Sequence, residues 1–157
     1  MKGKLLAAAA ILLSFSPVLA APYGDVMTPI SQFIEGFNTG DTNSAFAAYA
    51  SGDIFIIDEF APHRWFGPNA AHDWAAAWER HSQATGVSDA VVKFGMPTRT
   101  QIEGEAAYVI VPTIYLYKEH GTAMKEEGEM TFVLRGEAAG WKICAWVWSG
   151  VKPHPAG

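Results

Sequence analysis

The chain has 157 residues, of which 16 are acidic and 11 basic, and its net charge is -5 at neutral pH. This charge disfavours nucleic acid and anionic membrane surfaces as partners, because binding to phosphate needs clustered Lys and Arg. The single cysteine excludes an internal disulfide. Stability must therefore come from the core, for which half of the residues are hydrophobic and six are Trp.

Residues 1–20 have the pattern of a secretory leader. Two lysines precede an apolar run over 5–13, and residues 18–20, Val-Leu-Ala, form a small-residue cleavage pattern. The run falls short of the roughly 20 residues that span a bilayer, although a retained membrane anchor is the alternative interpretation. We predict a periplasmic or secreted protein that is not inserted in a membrane. Its single domain, over 21–157, has a net charge of -7 once the two leader lysines are removed.

Apolar residues at helical spacing predict a first helix over 26–37. Gly40 then ends this helix and Asp41 caps the next, a short helix over 44–49. Asn69 marks the start of a third helix. One face of that helix carries three large side chains at positions i, i+4 and i+7, which are Trp74, Trp78 and His81.

The rest of the chain reads mostly as strand. A strand is predicted over 53–60, where β-branched and aromatic residues occupy both faces, and a loop follows over 61–68. Beyond the third helix, glycine-rich turn signals separate five strands, over 91–94, 98–103, 107–118, 126–135 and 141–149, and residues 153–157 form a short tail. Helices followed by strands predict an α+β fold, with the helices covering one face of a mostly antiparallel sheet.

Three segments, 33–41, 51–58 and 141–143, resemble the SnoaL-like branch of the nuclear transport factor 2-like superfamily, which includes polyketide cyclases and steroid delta-isomerases. The shared motifs are an Asn-x-Gly-Asp helix junction and a Gly-Trp-x-Ile last strand. The resemblance implies a cystatin-like cone, in which a curved sheet wraps around three helices and holds a small, mostly apolar cavity. Because members of this superfamily include isomerases, cyclases, dehydratases and proteins that only bind a ligand, the fold does not give the function.

Asp58 is the sharpest single match to that family, because the steroid isomerases carry a general base at this end of the first strand. Their chemistry also needs donors that hold an enolate oxygen. Those donors fall on or near Phe33 and Met130, which cannot donate, so isomerisation of the steroid type is not expected. Asp58 has a second interpretation, in which it pairs with Arg64 or accepts backbone N–H groups.

Further candidates come from the loop after the first strand and from the third helix. His63 is a candidate catalytic residue, because an imidazole near Asp58 could share a proton with it. Trp65 and Trp78 join Phe33 and Met130 as candidate ligand-binding residues. The alternative is a solvated loop that Trp65 holds down. No metal site is predicted, because the five His residues show no paired ligand spacing, and no cofactor is expected.

Three functions remain open at this stage. The chain could bind a small apolar or aromatic molecule in the cone. It could instead be a cofactor-free isomerase, cyclase or lyase with Asp58 as general base and His63 in support. Finally, the cone could be filled by its own side chains, and the outer sheet face could bind another protein.

The resemblance also implies which sheet face points inward. It places Ile110, Ile114, Phe132, Ala145 and Val147 inside the cone. Four large aromatics then point outward, and they predict a homodimer formed through the sheet: Tyr115, Tyr117, Trp146 and Trp148. The sequence Lys125-Glu126-Glu127 is interpreted as a solvated edge.

Overall fold

The computed structural model describes residues 23–157, so the predicted leader over 1–20 lies outside the described residues. None of the helices between residues 23 and 157 is long and apolar enough to cross a membrane. The elements follow along the chain as α1 (Met27–Thr39), α2 (Thr42–Ala47), β1 (Ile54–Ile57), β2 (Arg64–Gly67), α3 (Ala70–Thr85), β3 (Val87–Phe94), β4 (Arg99–Glu103), β5 (Ala106–Glu119), β6 (Thr122–Glu137), β7 (Gly140–Gly150) and β8 (His154–Pro155).

The junction between α1 and α2 forms as the sequence predicts. Gly40 ends α1 with a φ of 72°, a left-handed conformation that glycine adopts without strain. Asp41 then caps α2 by accepting a hydrogen bond of 3.0 Å from the Ser44 N–H. The two helices approach closely because Gly36 has no side chain, since a Cβ there would lie 2.7 Å from the Ala45 nitrogen.

The strands form one curved sheet in the order β2-β1-β7-β6-β5-β3. β4 pairs with β5 beside β3, and β8 pairs with β6. Within residues 23–157 the β1–β7 pair is parallel and the other strand pairs are antiparallel. The core lies between the helices and the sheet, and its most deeply buried side chains include Ile30, Ile34, Ile56, Phe132 and Ile143. The predicted α+β fold, a mostly antiparallel sheet around three helices, is confirmed.

Two short strands were not predicted. β2 lies inside the segment expected to be a loop, and it pairs antiparallel with β1 through registers such as Ile56 with Trp65. Its four residues alternate between exposed and buried, a pattern too short to stand out from a loop. β8 lies in the expected tail and pairs with β6 at Met124 and Lys125.

The predicted assignment of sheet faces is wrong for most of the named residues. Tyr115, Tyr117, Trp146 and Trp148 lie on the inner face, whereas Ile110, Ile114, Ala145 and Val147 lie on the outer face and Phe132 alone of the predicted inward set is inside. On β7 the cause is a bulge: Leu134 pairs with Ile143 but Val133 pairs with Ala145, so Cys144 is an extra residue. Odd-numbered residues such as Ile143 point inward before the bulge, and even-numbered residues such as Trp146 point inward after it.

The interpretation of Lys125-Glu126-Glu127 as a solvated edge is also wrong at its middle residue. Lys125 and Glu127 form an ion pair on the outer face. Glu126 projects from the opposite face, opposite Tyr115, and its side chain is fully buried. Strand alternation therefore places one carboxyl group of this acidic segment inside the protein.

Candidate ligand-binding site

The inner face of the sheet, together with α1 and α3, bounds a cavity of about 330 Å³. This volume is at the lower end of the roughly 300–1,000 Å³ typical of small-molecule sites. About half of the lining residues are aromatic, and they include Phe33, Phe37, Trp74, Trp78, Trp146 and Trp148. The side chains of Glu59 and His81 are exposed on the same wall, so the cavity opens to solvent where they lie.

The structure brings four of the six sequence-predicted site residues to this cavity. Asp58, Phe33, Trp78 and Met130 line it. Trp65 is buried outside the lining, where its ring lies 5.1 Å from that of Phe60, a lining residue, and so supports the wall from behind. The sixth residue, His63, also lies outside the lining.

Asp58 follows β1 directly, and two donors hold its carboxylate. The Trp74 indole N–H donates to Oδ2 at 2.8 Å, and the Glu59 backbone N–H donates to Oδ1 at 2.7 Å. Burial raises the pKa of Asp58 from 3.8 to about 6, and it outweighs the two donors, which lower that pKa. Asp58 can therefore accept and return a proton close to neutral pH.

The sequence suggested two structural partners for Asp58, namely Arg64 and backbone N–H groups. Among the described residues, only a backbone N–H, that of Glu59, bonds its carboxylate. Arg64 is exposed and pairs in register with Ile57, on the outer face of the sheet. The carboxylate of Asp58 is instead held toward the cavity by Trp74, which reaches it from α3. The sequence placed Trp74 on the same helix face as Trp78 but gave no sign that its indole would bond the carboxylate.

His63 lies in the tight turn that joins β1 to β2. Its φ is 67°, and its carbonyl oxygen accepts a hydrogen bond of 3.1 Å from the Asp58 backbone N–H. The imidazole is exposed, and Nδ1 lies 3.3 Å from the main-chain carbonyl oxygen of Asp58. The ring is thus close to Asp58 but faces its backbone and not its carboxylate.

A second carboxyl group with a perturbed pKa lies next to Asp58. The pKa of Glu59 rises to about 7, first because the carboxyl loses part of its hydration beside the cavity wall and then because of the Glu126 carboxyl, whereas the Trp148 indole lowers it. Glu126 accepts a hydrogen bond of 2.9 Å from Trp148 on Oε1, whereas Oε2 has no partner among the described residues. Sequence reasoning missed this group because Glu126 was expected to be solvated.

Tyr115, on β5, supplies a hydroxyl donor to the wall of the cavity. Burial raises the pKa of the Tyr115 hydroxyl above its ordinary value, and this effect outweighs that of the Trp78 indole, which lowers the pKa. The phenol therefore keeps its proton at neutral pH and can donate it to an oxygen of a bound molecule. Tyr117 stacks on Tyr115 with a centroid distance of 4.7 Å. Both tyrosines were expected on the outer face.

The charged residues on the wall are mainly acidic. Within residues 23–157 the lining contains Asp58, Glu59, Glu119 and His81 but no Lys or Arg. In the same part of the chain no group of three or more His, Cys, Asp or Glu side chains could hold a metal ion.

A second depression of about 470 Å³ lies between the three helices. Phe33, Trp74 and Trp78 separate it from the cone cavity and line both. Its ionisable side chains are Tyr49 and Glu79, so it lacks the convergent carboxyl groups of the cone. We therefore assign the candidate site to the cone cavity.

The same fold is found in solved structures of low sequence identity. A hexachlorocyclohexane dehydrochlorinase, LinA type 2, matches with a TM-score of 0.70 and 12% identity over 84% of this chain and 86% of that chain. A ketosteroid isomerase-like protein from Erwinia carotovora atroseptica matches with a TM-score of 0.63 and 20% identity, over 88% and 99% respectively. LinA type 3 from Novosphingobium barchaimii matches with a TM-score of 0.68 and 14% identity, over 83% and 87%. No family model and no curated protein matches the sequence.

Proposed function

From a fold shared with these cone-shaped proteins, we propose that the chain binds a small apolar or aromatic molecule in the cone cavity. One observation carries the proposal: an open cavity of about 330 Å³ with many aromatic residues on its wall holds a half-buried carboxyl group, Asp58. Apolar walls with few, well-placed polar groups are the usual composition of small-molecule sites. The walls would supply affinity by excluding water, and Asp58 would orient the ligand.

The packing of the wall supports this proposal because the aromatic rings hold one another in place. Trp74 meets Trp146 edge to face, with centroids 5.1 Å apart and an interplanar angle of 89°. Phe33 lies 5.6 Å from Trp146 and 6.0 Å from Trp74. A wall fixed in this way needs little ordering when a ligand enters, which lowers the entropic cost of binding.

The proposal is tested by identifying small molecules that the purified protein retains, using mass spectrometry under native conditions. Met130→Trp fills the cavity from β6 and should abolish retention. Met96→Trp is the matched control, because Met96 is 84% exposed and lies outside the lining. Circular dichroism checks that both variants are folded. Equal retention by Met130→Trp and the unmodified protein would place the ligand elsewhere and overturn the proposal.

Cofactor-free proton transfer is the second candidate, as in an isomerase, cyclase or lyase. It is favoured by two groups on the same wall: Asp58, whose pKa is about 6, and the hydroxyl of Tyr115, which can donate to a carbonyl oxygen. Phe33 and Met130 line the cavity where the resemblance places the donors of steroid isomerases, and neither can donate. A steroid-type reaction is thus not part of the proposal.

Exchange of solvent deuterium into the carbon next to a ketone carbonyl tests the catalytic candidate. The rate should rise with pH through an apparent pKa near 6 and fall at least 100-fold in Asp58→Asn, since general bases contribute roughly 10²–10⁴-fold. Asp53→Asn, an exposed position before β1, should behave as the unmodified chain. An unchanged rate in Asp58→Asn would show that Asp58 is not the general base, and it would overturn this second candidate.

The interaction-module hypothesis required a cone closed by its own side chains, and the open cavity gives it no support.

We retain a homodimer as a proposal on a different basis, because the outer face exposes Phe66, Val133 and Tyr108 at 68%, 40% and 36%. Sedimentation should show about twice the chain mass, and Phe66→Asp should shift it to the monomer. Monomer sedimentation of the unmodified protein at micromolar concentration would contradict this. Export remains a proposal as well.

A further inference from the structure

The cavity has charges of one sign at its open end. Glu59 and Glu119 line it there, Asp58 lies beside Glu59, and His81 is the one basic side chain within the described lining. Water at the open end weakens these charges, but within the roughly 8 Å screening length of physiological salt they still repel an anion and attract a cation. An anionic ligand would therefore meet unfavourable charge, and the choice lies between neutral and cationic molecules.

Next to this end, a fully buried carboxyl group has one oxygen without a hydrogen-bond partner among the described residues. Glu126 is 0% exposed, and its side chain projects from the inner sheet face, opposite Tyr115. Oε1 is bonded by Trp148, but Oε2 has no partner among the described residues. Because a buried polar atom without a hydrogen bond is unfavourable, a donor or a positive charge is expected nearby.

Glu59 connects this buried group to the cavity. Glu126 raises the pKa of Glu59 and the Trp148 indole lowers it, which places both near the Glu59 carboxyl, and Glu59 is also exposed on the cavity wall. With its proton, the Glu59 carboxyl can donate to Glu126. Without the proton, Glu59 carries a negative charge beside Glu126, and a bound cation would offset that charge. The pKa of Glu59, about 7, places this change near neutral pH.

Aromatic rings surround the same end. Tyr115 and Tyr117 are stacked, and the Tyr115 ring lies 6.5 Å from that of Trp148 at 75°. The faces of such rings attract cations, most strongly when the site excludes water. The charged and titratable groups that face Glu59 come from several elements, and they are Asp58, His81, Tyr115, Tyr117, Glu119 and Glu126.

We propose that the ligand of this cavity is an amine: a small aromatic or apolar body lies between the aromatic walls, and its ammonium group lies against the Glu59 carboxylate, in front of Glu126. The ammonium supplies the positive charge that the two carboxylates lack, and Trp148 and the tyrosines contact it through their rings. This inference rests on the proposed function, since it names the chemical class of molecule that the cone would take.

The test compares three molecules that share one indole body. Tryptamine is a cation, tryptophol is neutral and indole-3-acetate is an anion. At pH 8 tryptamine should bind at least about tenfold more tightly than tryptophol, because it forms a charge-assisted hydrogen bond, and indole-3-acetate should bind least. Isothermal titration calorimetry measures all three affinities on the unmodified protein.

The pH dependence gives a second readout that needs no variant. With the pKa of Glu59 near 7, about a tenth of the carboxyl group is ionised at pH 6 and most of it at pH 8. The affinity for tryptamine should rise about tenfold between these values, with proton release at pH 6.5, whereas that for tryptophol should not rise. Proton release is seen as a change in binding enthalpy between buffers.

Glu59→Gln should remove both the preference for tryptamine and its pH dependence while tryptophol still binds. Glu35→Gln, an exposed position on α1, is the matched control and should keep both. Equal binding of tryptamine and tryptophol at pH 8 would overturn the amine proposal and leave the proposed function intact. If none of the three molecules binds, the amine proposal and the proposed binding function are both overturned for ligands of this size.

Discussion

The substitution Asp58→Asn separates two opposing effects on stability. In the folded protein the pKa of Asp58 is about 6 instead of 3.8, so ionised Asp58 is less stable there than in the unfolded chain. That difference corresponds to about 3 kcal/mol when the group is fully ionised. Against it stand the two hydrogen bonds that the carboxylate accepts. An amide has one acceptor oxygen, so Asn loses one of them, at about 1 kcal/mol.

The balance depends on pH with a defined sign. Because the folded protein holds the Asp58 proton more tightly, the unmodified chain loses stability as pH rises from about 4 to about 6, and Asp58→Asn does not. Asp58 is half-buried, and its remaining contact with water reduces the effect. We expect Asp58→Asn to be more stable by about 1–2 kcal/mol at pH 8, with no advantage at pH 4.

Urea unfolding followed by tryptophan fluorescence at pH 4 and pH 8 measures this difference. Asp53→Asn is the matched control, because Asp53 is exposed just before β1. The reasoning is refuted if Asp58→Asn is less stable than the unmodified chain at pH 8 by about 1 kcal/mol or more, since the hydrogen bonds would then outweigh burial.

Three further outcomes are expected. Gly150→Ala should destabilise the protein by about 1–3 kcal/mol in urea unfolding, because the new Cβ would lie 1.7 Å from Oε1 of Glu126. Trp74→Phe removes a donor to Asp58, so NMR titration should show the Asp58 pKa rising above about 6, and a lower value would contradict the assigned bond. Export should remove residues 1–20, and an intact mass that includes Met1 in protein secreted by a bacterial host would contradict the leader.

Local sequence signals predicted the helices and most strands because those signals act over a few residues. Gly40 and Asp41 each satisfy a local backbone requirement, and both act as expected. Asp58 was found through the family resemblance, which places a general base at this end of the first strand. The resemblance also placed Met130 and Phe132 on the inner face, and both are buried there on β6.

The inner wall could not be predicted in the same way. On β5 both faces are apolar, so alternation did not show that Tyr115 points inward. On β7 the extra residue Cys144 reverses the parity, and a bulge leaves little trace in the sequence. Glu59 and Glu126 are far apart in the chain, and the register of β5 with β6, which places Glu126 opposite Tyr115 on the inner face, could not be predicted from local signals.

The indole N–H resonances of the six Trp residues test the central claim most directly. Trp74, Trp78, Trp146 and Trp148 line the cavity, whereas Trp65 and Trp141 lie outside its lining and serve as internal controls. During NMR titration with tryptophol and tryptamine, we expect the cavity indoles to shift in a saturable way and the two controls to stay fixed. Shifts confined to Trp65 and Trp141, or no saturable shift at all, would contradict binding in the cone.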